Sequence, residues 1–318
     1  MCSEFWSGWL DKWGGRHETR GSKEMVSGLK EMLDKGISFS LYMTHGGTSW
    51  GHWAGANSPG FSPDVTSYDY DAPINEAGQV TPKYIELREM LAKYSDKKLP
   101  SIPKEYPVIN ISKIQFTEVA PLFENLPEAK NSMDIQTMET YNQGWGSILY
   151  RTKAPAVPTQ SILTVTDAHD YAQVFINGKL IGAIDRRNHE KTLILPAMKE
   201  GDQLDILVEA MGRINFGRAI KDFKGITEKV ELSYTLNSGS QVNINLKNWS
   251  VYNLCDSYKA QTEMKYVPLT DQKVPGCYRA TFNLKKTGDT FLNLETWGKG
   301  QVYVNGHAIG RFWKIGPQ

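Results

Sequence analysis

The chain has 318 residues, enough for two or three domains with substantial cores, and its 36 basic and 35 acidic residues leave a net charge of +1. That balance gives no footing for a nucleic-acid or anionic-membrane partner, and no apolar run reaches the roughly 18 to 20 residues of a membrane span. Cys2, Cys255 and Cys277 are sparse, odd in number and free of CxxC or Cys/His spacing, which argues against a zinc site or a disulfide scaffold and leaves a Cys255–Cys277 pairing open.

The chain opens on Ser3-Glu4-Phe5-Trp6-Ser7-Gly8-Trp9-Leu10-Asp11-Lys12-Trp13-Gly14-Gly15. One carboxylate among tryptophans and glycines suits an acid aimed into an aromatic-walled pocket, where ring faces cover the C–H side of a sugar and the carboxylate meets an oxocarbenium-like centre. The alternative is an ordinary acidic residue beside core tryptophans. From Ser22 to Lys35, Met25, Val26, Leu29, Met32 and Leu33 share a helical face, with Ser22 as cap and Gly36 past the end. Ile37 to Met43 alternates as a strand, and a polar, Gly-rich, aromatic loop runs from Thr44 to about Val80, too long for a plain connector. Thr81-Pro82 then opens a second helix with Leu87, Leu91 and Tyr94 as its buried stripe.

Strand end, helix, strand, loaded loop, helix reads as the last two β/α units of a (β/α)8 TIM barrel, whose chemistry sits where strands end. Glu4 and the stretch from Tyr42 to Trp53 fall at such ends. Only Met1, Cys2 and Ser3 precede Glu4, fewer residues than a strand usually has, so the barrel is expected to need an N-terminal portion that this chain lacks. Residues 96–139, with five prolines, read as a linker that can contribute an edge strand. Beyond them short alternating strands predict two β-sandwich domains, 140–238 and 239–318, the second cut short. They repeat one unit: Tyr150 matches Tyr278, Gln173 matches Gln301, Asn177-Gly178 matches Asn305-Gly306 and Gly182 matches Gly310, each pair offset by 128. Asn-Gly is the strongest short hairpin signal, because both turn residues take positive φ.

Together these residues make the chain resemble the β-galactosidases of glycoside hydrolase family 35. The segment Ser3 to Gly15 looks like the family's nucleophile motif. Tyr42-Met43 with Gly46-Gly47-Thr48, Gly55-Ala56-Asn57-Ser58-Pro59, and Thr66-Ser67-Tyr68-Asp69-Tyr70-Asp71-Ala72-Pro73 with Glu76-Ala77-Gly78 resemble later barrel motifs in order and spacing. Gly212-Arg213-Ile214-Asn215-Phe216-Gly217 with Asp222-Phe223-Lys224-Gly225 resembles a motif of the first β domain. The resemblance implies a retaining exo-β-galactosidase acting on a terminal β-linked galactose of a glycan or galactoside, with Glu4 as nucleophile. Tyr42 would orient Glu4, Tyr68 would bond sugar hydroxyls, and Trp9 and Trp6 would wall the pocket, Trp6 standing where relatives often carry Tyr. The family's acid/base glutamate precedes the nucleophile in the chain, so this 318-residue piece is expected to be inactive alone. No cofactor or metal is implied, and the compartment stays open.

Two other readings compete. The repeats resemble galactose-binding-domain-like jelly rolls, which makes a carbohydrate-binding or structural module the second class, although the tryptophans outside the first 95 residues are scattered. A third keeps the enzyme class and changes the sugar, as in an exo-β-glucosaminidase of related architecture. Asp69 and Asp71 are expected to hydrogen-bond their own loop, and His45 and His52 to have no metal role.

Overall fold

The computed structural model describes residues 1–254, 257–270 and 273–317. Cys255 lies outside the described residues, and with it the open pairing; Cys2 and Cys277 form no disulfide among the described residues. The chain forms two compact units: Met1–Ala54 with Asp64–Lys113 and Phe282–Gln318, and Gly55–Pro63 with Ile114–Thr281. Among the described residues, no helix is long and apolar enough to cross a membrane.

In the first unit, strand β1 (Cys2–Trp6) runs parallel to β2 (Phe39–Tyr42), with helix α1 (Ser22–Asp34) between them in the chain and α2 (Pro82–Leu91) after the long loop. The register sets Phe5 opposite Leu41 and Trp6 opposite Tyr42. Phe5, Phe39 and Leu41 pack on a helix-pair core of Met25, Leu29, Leu87 and Met90. Two sequence expectations shift here. Ser22 is the first helical residue rather than the cap, its hydroxyl donating to Glu86 at 2.7 Å, and the cap position is Gly21. On α2, Met90 takes the buried place expected for Tyr94, which is exposed with its hydroxyl on Asp34. Thr81 caps α2 as expected, accepting from the Tyr84 N–H at 3.3 Å. Two parallel strands with their helices are compatible with a (β/α)8 barrel and with an open parallel sheet alike.

The second unit holds two antiparallel sheets around one core. Six strands pair in the order Lys179–Asp185, Tyr171–Ile176, Gln203–Ala210, Gly146–Lys153, Trp249–Leu254, Lys130–Ser132. Four pair in the order Thr192–Leu195, Ser161–Val165, Val230–Thr235, Gln241–Asn245. Tyr150, Val174, Ile206 and Val208 from the first sheet share the core with Leu163, Val165, Leu195 and Leu232 from the second. The domain limits drawn from sequence therefore move. Trp249–Leu254 completes the sheet begun by Gly146–Lys153, past the expected limit at 238, and Lys130–Ser132, inside the expected linker, is that sheet's edge strand. The segment expected as one body from 239 onward is divided, since Gly276–Arg279 pairs with Glu118–Pro121 in the second unit while Phe282–Gln318 belongs to the first. Strand pairing across such distances leaves no local turn signal, so composition could not locate it.

The hairpin part of the repeat recurs in three dimensions. Both Asn-Gly pairs turn with positive φ, 48° and 79° at Asn177-Gly178, 50° and 84° at Asn305-Gly306. Each hairpin also carries a bulge at the same place, Val174/Phe175 and Val302/Tyr303, again 302 − 174 = 128 apart. The second hairpin, Lys299–Val304 with His307–Trp313, packs within the first unit, where Trp313 meets Trp13 at 6.1 Å between ring centroids.

A buried ion cluster ties the second unit together. Lys224, fully buried, donates to both oxygens of Asp170 at 2.9 and 2.8 Å and to Asp222 at 2.7 Å. Arg186 bridges the same carboxylates at 2.7 and 2.9 Å, and His169 lies between Asp222 (3.3 Å) and Asp167 (3.1 Å). Burial lowers the His169 pKa, but hydrogen bonds to Asp167 and Asp222 outweigh it and carry it up to about 9. Three cations thus face three carboxylates. Above them lies the Phe61 ring, 4.2 Å from the Arg186 guanidinium and 4.7 Å from the Lys224 ammonium, a cation–π seat for the segment Gly55–Pro63. Gly55–Asn57 in that segment pairs in parallel with Arg213–Ile214, and Gly55 is required there, since a Cβ would come within 2.6 Å of the Asn215 side chain.

Candidate functional site

Glu4 projects from β1 into solvent, and one carboxylate oxygen accepts the Trp6 indole N–H at 2.8 Å. Trp6 meets Trp9 edge to face with centroids 5.0 Å apart, and Trp9 lies 6.1 Å from Tyr70. Tyr70 in turn touches Tyr42 edge-on at 5.4 Å and stacks on Tyr68 at 5.3 Å. The hydroxyls of Tyr42 and Tyr68 are 3.2 Å apart. All five residues singled out from sequence, Glu4, Trp6, Trp9, Tyr42 and Tyr68, therefore belong to one carboxylate-bearing aromatic cluster, and Tyr70 is its hub. One role is redistributed. The hydrogen bond to Glu4 comes from Trp6, which was expected only to wall the pocket, while Tyr42 bonds Tyr68.

Tyr68 and Tyr70 are held in the protonated form. Burial, then the neighbouring Tyr42 and the Glu4 charge, push Tyr70 up to about 12. Burial and the Tyr42 hydrogen bond push Tyr68 higher still. Both stay protonated at any working pH, so they present O–H groups and never compete with Glu4 as anions.

The frame beneath is rigid. At the end of β1, Ser7 donates its N–H to the Tyr42 carbonyl (3.2 Å) and its hydroxyl to the Met43 carbonyl (2.7 Å), locking the two strand ends together. Gly8 lies so close to the tyrosine loop that a Cβ would fall 2.0 Å from the Tyr70 carbonyl oxygen. Lys83, on the first turn of α2 and only 5% exposed, donates to the Ser7 carbonyl at 2.9 Å and to Asp71 through its carbonyl at 2.5 Å and its carboxylate at 2.7 Å. The loop's other carboxylates are committed as well. Asp11 accepts from His17 and from the Glu18 N–H, both at 2.7 Å; Asp69 accepts from the Glu76 N–H at 3.2 Å; Glu76 accepts from Thr48 and Ser67. Asp69 thus serves its own loop, as expected, whereas the Asp71 carboxylate accepts from outside it, from the Arg20 N–H and from Lys83 on α2. His45 engages the Gly46 carbonyl, and no cluster of His, Cys, Asp and Glu among the described residues could hold a metal.

Sequence reasoning missed two residues. Tyr70 was inside the Tyr68-Asp69-Tyr70 stretch, but its left-handed φ of 60°, which turns its ring back onto Tyr42, has no signature in residue type. Lys83 looked like any lysine on an amphipathic helix; only burial distinguishes it.

Asp64 is a further buried carboxyl, 6% exposed, with Oδ1 unbonded among the described residues. Burial raises its pKa to about 6, against a smaller downward pull from Arg311. A carboxyl whose folded pKa exceeds its unfolded one stabilises fully below about pH 4 and loses that contribution as pH rises through 6, a swing of about 3 kcal/mol. Asp64→Asn should therefore flatten the fall in urea midpoint between pH 4.5 and 7.5. An unchanged slope would show Asp64 ionising freely.

Comparison with known proteins adds the following. Residues 1–94 match the family described as "Glycosyl hydrolases family 35", residues 136–254 "Beta-galactosidase, first all-beta domain", and residues 275–318 "Beta-galactosidase, galactose-binding domain". Among curated relatives, a mouse "Beta-galactosidase-1-like protein" is 36% identical over 99% of this chain and 50% of its own length. A bovine "Beta-galactosidase" is 35% identical over 99% and 51%, and one from Xanthomonas manihotis 33% identical over 100% and 52%. The chain spans about half the length of the curated relatives it matches.

Proposed function

From a chain that belongs to glycosyl hydrolase family 35, we propose that residues 1–318 supply the nucleophile side of a retaining exo-β-galactosidase, with β1, α1, β2 and α2 as the last two units of a (β/α)8 barrel. The observation that carries the reading is the Glu4 carboxylate held by Trp6 within the Trp9, Tyr42, Tyr68, Tyr70 cluster. Trp6 and Trp9 lie against the apolar face of the galactose, and Tyr42 and Tyr68 donate to its hydroxyls. Glu4 attacks the anomeric carbon as the aglycone oxygen departs with a proton from a carboxylic acid, leaving a galactosyl ester on Glu4. Water then gives its proton to that second carboxyl and its oxygen to the anomeric carbon, restoring Glu4 and releasing galactose with the configuration it had in the substrate.

A retaining pair stands about 5 to 5.5 Å apart. The family resemblance puts the acid/base glutamate ahead of the nucleophile, and the carboxylates near Glu4 (Asp11, Asp69, Asp71 and Glu76) already carry hydrogen bonds, so we assign the acid/base to chain outside residues 1–318. The 318-residue chain alone should leave nitrophenyl β-galactoside intact. Joined behind the N-terminal half of the Xanthomonas manihotis relative, it should hydrolyse it. Ordinary turnover by the chain alone would overturn the division of labour, and a panel of β-glycosides on the joined protein tests galactose against glucosamine. The β part is assigned a supporting role, because of its four tryptophans Trp249 and Trp313 are buried, Trp297 is half-buried and Trp145 alone is exposed, which is not a surface array.

A further inference from the structure

Glu4 is exposed on a short strand, yet the backbone that carries it is bound to the tyrosine loop through one cation. Lys83 Nζ makes three hydrogen bonds in a nearly dry setting, to the carbonyl three residues after Glu4 and twice to Asp71, the residue after the hub Tyr70. The Asp71 oxygen that meets Lys83 also accepts the Arg20 N–H at 2.6 Å, and the Arg20 guanidinium reaches the Trp6 carbonyl at 2.5 Å. Tyr70 and Asp71 hold left-handed backbone, φ 60° and 48°, a conformation that costs a non-glycine residue and persists only under external restraint. The restraint is this ion pair together with the Gly8 contact on the Tyr70 carbonyl.

Resting on the galactosidase reading, we propose that Lys83 is a positioning residue for the reaction: it fixes the distance and angle between the Glu4 carboxylate and the Tyr68 hydroxyl by cross-linking the strand end after Glu4 to the loop that carries Tyr68 and Tyr70. It touches neither the sugar nor the reacting atoms. Its removal should cost orientation rather than binding, because the aromatic walls remain.

The test uses the joined, active protein. Lys83→Met leaves Asp71 without its cation, so a second variant, Lys83→Met with Asp71→Asn, removes the cross-link and both charges together. In each, kcat should fall on the order of a hundredfold, the scale for a displacement of about 1 Å at the chemistry, with KM within about threefold of the parent. A kcat within about threefold in the double variant overturns the inference, and so does a loss fully accounted for by the folded fraction measured by near-ultraviolet circular dichroism. A rise in KM at unchanged kcat also overturns it, since that is the mark of a binding residue. Failure of the underlying reading looks different: Glu4→Gln would then keep its activity whatever Lys83 does.

Discussion

Glu4→Gln in the joined protein should abolish turnover, a loss on the order of 10⁴ or more in kcat, the scale seen when a covalent nucleophile is removed. The amide keeps the shape of the side chain and can still accept the Trp6 N–H, so folding and the aromatic cluster survive while the nucleophile does not. Glu4→Gly sharpens the assignment. With the carboxylate gone, azide can enter from the face it vacated and displace the aglycone in one step, forming the C1–N bond as the C1–O bond breaks. One displacement inverts the centre, so the product expected is the α-galactosyl azide. A β-azide would place Glu4 on the acid/base side, and recovery of hydrolysis without azide would remove it from catalysis.

Lys224→Met should be the most damaging change in the second unit. It leaves Asp170 and Asp222 facing each other in the interior with only Arg186 and His169 to answer them. Breaking one partner out of a buried ion cluster costs about 3 to 5 kcal/mol, because the charge left behind has lost its water and gained nothing. For a body of this size that is a fall in melting temperature of roughly 10 °C or more. High salt should not restore it, since the pair is buried beyond the reach of screening. Lys224→Met with Asp170→Asn should recover part of the loss, and the shortfall from additivity measures the coupling. A fall of under about 1 kcal/mol would mean that water reaches the cluster.

The sequence made the first unit's site legible because its chemistry is written in residue types. A glutamate just ahead of three tryptophans, paired tyrosines and a Gly-Gly-Thr loop carry their meaning in the sequence. The hairpins were legible too, down to their turns, since Asn-Gly states a backbone conformation directly. What stayed hidden was whatever depended on distance along the chain. Trp249–Leu254 reads as a plain strand, and nothing in it says that its neighbour is Gly146–Lys153. Lys224 sat in a recognised motif, yet its partner Asp170 is 54 residues away and surrounded by unremarkable strand. The capping role expected of Ser22 was lost to a side-chain contact with Glu86 on the other helix, a tertiary contact overriding a local preference.

Tyr70 shows the limit most clearly. Its neighbours in sequence were enough to find the loop, but its place at the centre of the cluster depends on a positive φ and on Gly8 yielding space to its carbonyl. Neither is a property of tyrosine. Both follow from the strand end and the loop being pressed together, which is the work of Lys83.

The seat of Phe61 between Arg186 and Lys224 also sets an order of events during synthesis. Gly55 leaves the ribosome 213 − 55 = 158 residues before its strand partner Arg213, a delay of roughly 8 to 30 s at the usual rate of elongation. Throughout that interval the segment is a tether with no place to dock, and Phe61 is exposed. Because the ring can seat only once Arg186 and Lys224 have been made, an early segment waits for later ones, and a nascent chain released early would offer chaperones and proteases an aromatic side chain that the finished protein buries.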